Sequence, residues 1–103
     1  FGNGSTTGAD AQTSQSYMNG GLAPRSNQDG WSTTIIDILD YTNTNKNKTA
    51  KILSGQDNNG AGYLYLFSGV WLSSNAINSI TLIEESNAVN FAQYSCFSLY
   101  GIK

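Results

Sequence analysis

Histidine is absent from the 103 residues, and cysteine, methionine and proline each occur once. Without an imidazole the chain has no ordinary general base for a Ser or Cys nucleophile, and it lacks the commonest nitrogen ligand for a metal. The single Cys96 has no intrachain disulfide partner, so no oxidising compartment is implied. Its place in an apolar alternation predicts a buried, inert thiol. Charge is scarce too. Charged residues make up 12% of the chain, about half the usual share. The five basic residues, Arg25, Lys46, Lys48, Lys51 and Lys103, form no clustered face of the kind nucleic acid requires. No apolar run is long enough to insert in a membrane as a helix, and no signal-like segment is present.

The few carboxylates do not make up for the missing histidine. Asp37/Asp40 and Glu84/Glu85 are the paired acids. Strand alternation puts Asp37 on one face with Ile35, towards solvent or a turn, whereas a glycosidase needs two carboxylates facing across a groove. The stretch Asp57–Gly60, "DNNG", carries hard oxygen ligands but neither the alternate spacing nor the distal Glu of a calcium loop. Turn chemistry accounts for it. The sequence therefore predicts no catalytic residue, no metal site and no cofactor.

What is abundant is neutral polarity. Asn, Ser, Thr and Gln together number 39, beside 11 Gly. Hydrophobic residues at 39% and aromatics at 12% are enough to fill a core, and the length suits one domain. Residues 1–30 have no sustained period and read as a long variable loop region, anchored by Tyr17, Met18 and Leu22. Residues 31–103 read as a β-sandwich core. The chain begins at Phe1 and is expected to be the C-terminal part of a longer polypeptide, lacking the first strands of its sheet. Strands are predicted over 31–41, 49–55, 63–72, 75–86 and 95–103, with turns at 43–48 and 56–62. Gly55, Gly60, Gly62 and Gly69 read as turn glycines. Ala50 and Ile52 share one face, and Lys51 and Leu53 the other. The run 63–72 is apolar on both faces, which fits a central sandwich strand or a face against a neighbouring chain. The apolar end, "CFSLYGIK", is expected to be held as a closing strand. Together these describe an all-β, antiparallel sandwich.

The last third carries a pattern: a Trp, an "aI-xx-I-x-L" strand, a "nF-xx-gS-x-F" segment and a closing "LYGI(K)". Trp71, Ala76, Ile77, Ile80, Leu82, Asn90, Phe91, Ser95, Phe97 and Leu99, Tyr100, Gly101, Ile102 and Lys103 occupy it. Upstream, Asp40, Tyr41, Asn43, Lys48 and Thr49 fit a "D/N-Y-x-N-T-x-x-K-T" crossing. This resembles a C-terminal module of tailed-bacteriophage virion structural proteins, tail fibre or head fibre in type, over about 70 of the 103 residues. Tyr94 departs from it, standing where the family often has a small residue. The resemblance implies a jelly-roll-like sandwich and a non-enzymatic virion protein. Its implied partners are other virion proteins and copies of itself, as a homotrimer. An adhesion-type module exposed on the particle is one expectation; a capsid decoration or head-fibre protein binding only its own shell is the alternative. A polysaccharide-degrading spike is disfavoured for want of positioned acids. If a host glycan is touched, loop tips should do it. The candidates are Asn45, Asn47, Asn58 and Asn59, with Tyr17 and Trp31 as stacking platforms; aromatic runs more often serve as core or interface.

Overall fold

The computed structural model describes residues 2, 5–6, 8–9, 11–21, 30–57, 59–84 and 90–102. Leu22, Arg25, Asn58, Glu85 and Lys103 lie outside them. Among the described residues the secondary structure is all-β: β1 (Trp31–Leu39), β2 (Lys48–Asp57) and β3 (Gly62–Trp71). They form one open antiparallel sheet in the order β1-β2-β3. The register runs straight across it, with Ile36 opposite Ile52 and Ile52 opposite Phe67. β-Branched residues dominate β1 and aromatics β3, as a pleated surface favours. The turn at 57–60 is made by Asx chemistry. Asn59 N–H donates to Asp57 Oδ1 at 2.9 Å, and Asn59 and Gly60 both take positive φ, 54° and 115°.

The core is small. Lys48, Ala50, Ile52 and Ser54, alternate residues of β2, are the described residues that are fully buried. Their inner face is crossed by the segment 18–21. Gly69 lies under Met18, whose Cγ would stand 2.5 Å from any added Cβ, and Gly21 (φ 103°) lies against Thr34 and Ser54. Thr34 Oγ1 and Ser54 Oγ share a 2.7 Å hydrogen bond beneath it. Gly2 forms an isolated antiparallel bridge to Leu64 on the outer edge of β3.

Several expectations are corrected. The segments 75–84 and 95–102 contain no strand; they follow the inner side of the sheet as irregular chain. The end is not a closing strand: Leu99, Tyr100 and Ile102 are 82%, 81% and 86% exposed. Their apolar alternation is legible, but among the described residues no strand pairs with them to complete a ladder. Cys96 is exposed rather than buried, for the same reason. β3 is an outer strand and β2 the central one. Gly55, Gly62 and Gly69 lie inside strands; of the glycines read as turn formers, Gly60 is the one in a turn.

Candidate functional site

Antiparallel order puts the two loop tips at opposite ends of the sheet. Asn45 and Asn47 belong to the β1–β2 connection, and Asn59 to the β2–β3 turn beside the start of β1, where Trp31 pairs with Asp57. Strands of this length separate the two ends by about 30 Å. The candidate amides at the two ends are therefore too far apart to meet on one sugar unit, and Asn58 lies outside the described residues.

The β1–β2 connection is held by a network of hydrogen bonds centred on Lys48. Its buried ammonium donates to the carbonyl oxygens of Asn43, Lys46 at 2.7 Å and Ser74 at 3.1 Å. No carboxylate takes part. Three converging carbonyl dipoles solvate the charge in place of water, which is how a buried lysine is tolerated. Around it, Asn43 N–H donates to Asp40 O at 2.9 Å, and Asn45 N–H donates to Asn43 Oδ1 at 2.8 Å. Asp40 takes a φ of 54°, and Ile77 N–H donates to Tyr41 O at 2.8 Å. The exposed Asp40–Lys46 pair, at 3.6 Å, adds little. The residues of the "D/N-Y-x-N" crossing thus build a turn that clamps 74–77 to the sheet. Sequence reasoning missed that role for Lys48, although its even-numbered parity with Ala50 and Ile52 marked it for the inner face.

Tyr17 and Trp31, the two proposed stacking platforms, both border one open cleft of about 1540 Å³ between the sheet and the irregular C-terminal segment. Gln56, Tyr63, Tyr65 and Phe97 also line it. Tyr65 stacks on Phe67 at 5.1 Å, so part of the aromatic run serves packing. Of the terminal motif, Phe91 and Phe97 meet edge to face at 5.2 Å. They flank a turn in which Ser95 N–H and Oγ–H both reach Ala92 O, at 3.2 and 2.7 Å. Tyr94, third in that turn, has a φ of 69°. Positive φ at this position is the type II pattern, which favours glycine. Ile80, Leu82 and Leu99 border the same cleft as Phe91 and Phe97, whereas Trp71, Tyr100, Gly101 and Ile102 are exposed and do not line it.

Among the described residues no three His, Cys, Asp or Glu side chains gather as metal ligands. No described helix is long and apolar enough to cross a membrane. No protein-family model, curated protein or solved structure matches the chain.

Proposed function

We propose that the chain is a non-enzymatic structural module of a bacteriophage virion, of tail-fibre or adhesion type, that completes its fold by assembly. The virion setting rests on the terminal motif and on the "D/N-Y-x-N" crossing. The assembling character rests on one observation: the single chain exposes 8345 Å² of surface. A packed monomer of its 11.0 kDa mass exposes roughly 5,600 Å². The excess, roughly 2,700 Å², is the scale of an extensive protein–protein interface. Cα atoms spread to a radius of gyration of 14.9 Å, against about 13 Å for a compact chain of this length. In this reading 75–86 and 95–103 become the second layer of a jelly-roll-like sandwich once neighbouring chains supply their ladder partners. The assembly is a homo-oligomer, a trimer by the resemblance, joined to other virion proteins.

The β1–β2 tip, held by Lys48, is the better placed surface for a host glycan. Neutral amides there hydrogen-bond hydroxyls without burying charge. The alternative is a decoration or head-fibre protein that binds only its shell. Imaging particles with a label fused to the module tests the proposal. Label on the tail supports the adhesion reading, label on the shell supports the alternative, and absence from particles refutes both.

A further inference from the structure

The outer face of the sheet, opposite the buried residues of β2, is rich in exposed apolar side chains, and no other described strand covers it. Ile35, Leu53 and Leu66 are cross-strand partners and form one row over all three strands. Leu39, Leu64 and Val70 extend it, and all six are exposed, Leu66 by 68%. The next row holds Asp37 and Lys51, direct partners 3.9 Å apart, followed by Ser68. The centre of the face therefore carries one negative and one positive charge side by side, with Asp57 at its rim.

We infer that this face is the surface through which copies of the chain associate, each laying its outer sheet face on that of another copy. The inference deepens the homo-oligomer reading above but makes no use of the virion setting. Two observations select a second copy as the occupant. The first is charge. The central pair is self-complementary: Asp37 of one copy can face Lys51 of the next, and no like charges need meet. Among the described residues Lys51 is the one basic group on the face, so an anionic surface finds little there to hold it. The second is area. A rise of about 3.4 Å over nine residues and a spacing of about 4.8 Å across three strands give a flat footprint of roughly 400 Å². Side-chain relief raises this to roughly 500 Å² per copy, so two copies bury about 1,000 Å², where specific interfaces begin. Stacked sheets sit about 10 Å apart with strands within about 30° of each other, so the product is a sandwich made between chains.

Sedimentation of the purified chain tests this. Wild type should run at twice the 11.0 kDa chain mass, since a face-to-face contact closes on two copies. Asp37→Lys makes the face doubly positive and Lys51→Asp makes it doubly negative. Each variant alone should weaken association at least tenfold, and an equimolar mixture should restore it. Leu66→Lys, at an exposed position, should dissociate the assembly while leaving the far-UV circular dichroism of the sheet unchanged. A wild type that stays monomeric at every concentration, leaving the face to some other partner, overturns the inference. So do charge variants that associate as wild type does, or a mixture no more associated than its parts. Particle imaging and sedimentation fail independently, so loss of one reading leaves the other standing.

Discussion

Replacing Lys48 by Met removes an ammonium from the one place where the described residues bury a charge. The apolar stem of Met fills most of the space of the lysine stem, so packing changes little. What changes is the fate of three carbonyl oxygens, those of Asn43, Lys46 and Ser74. Hydrogen bonds to a charged donor contribute about 1.5–3 kcal/mol each, and the desolvation of Lys48, 1% exposed, offsets several kcal/mol of that total. Lys46 and Ser74 are exposed residues, so water can take over part of their bonding; Asn43 is half-buried and less easily compensated. The net cost should be about 2–4 kcal/mol. A domain of this size has roughly 5–15 kcal/mol in total, so the loss is large. With a urea m-value of about 1–2 kcal/mol/M, the unfolding midpoint should fall by roughly 1–4 M. Lys51→Met, which in the unassembled chain breaks only an exposed pair at 3.9 Å, is the control at dissociating concentration and should cost less than about 1 kcal/mol there. Hydrogen exchange should also quicken at Asn43, Asn45 and Ile77, whose amides depend on the clamp. A Lys48→Met protein with the wild-type midpoint and unchanged exchange at these amides would refute the account of the carbonyl cage.

Four further outcomes are expected. Tyr94→Gly should raise stability by up to about 1 kcal/mol in thermal melts, because it relieves a left-handed non-glycine residue that is 81% exposed and packs little. Gly21→Ala should cost about 1–3 kcal/mol by urea titration, since its φ is 103° and the new Cβ would meet Thr34 Cγ2 at 2.9 Å. Deleting Leu99–Lys103 should leave the unfolding free energy of the unassembled chain, from urea titration, within about 0.5 kcal/mol of wild type, because Leu99, Tyr100 and Ile102 are exposed, yet abolish incorporation into particles. Asn45→Ala with Asn47→Ala should reduce particle adsorption to host cells, whereas Asn59→Gly, which keeps the positive φ at the opposite end, should not; equal effects from both ends would contradict a single recognition tip.

The three strands of the sheet were legible because each carries its own evidence. Alternation in Lys48–Asp57 separates Ala50 and Ile52 from Lys51 and Leu53, and the turn after it is written in Asp57, Asn59 and Gly60. A hairpin is local: the residues that close it are near in sequence, so pattern and turn chemistry together identify both partners. The same alternation in 75–86 and 95–103 identified two faces but no partner. A ladder needs a second backbone at about 4.8 Å, and nothing in the period of a strand says which backbone that is. Gly69 was misread for a related reason. What requires a missing Cβ there is Met18, which lies far off in sequence, across the sheet.

Lys48 shows where sequence reading can be extended. The sequence pattern placed Lys48 at the end of the 43–48 turn, whereas its parity with Ala50, Ile52 and Ser54 makes it the first inward residue of β2. Parity prevails because the preceding turn folds back far enough to aim carbonyls at the ammonium, which makes an inward lysine cheaper than a broken register. A one-residue slip would turn Ala50, Ile52 and Ser54 out to solvent together. Lysine at that position therefore fixes the register of β2 and the shape of the β1–β2 tip at once. Fixing the register also fixes which side chains face outward. The same residue that orders the candidate recognition tip thereby sets Asp37 beside Lys51, and Ile35 beside Leu53 and Leu66, on the face proposed to meet another copy.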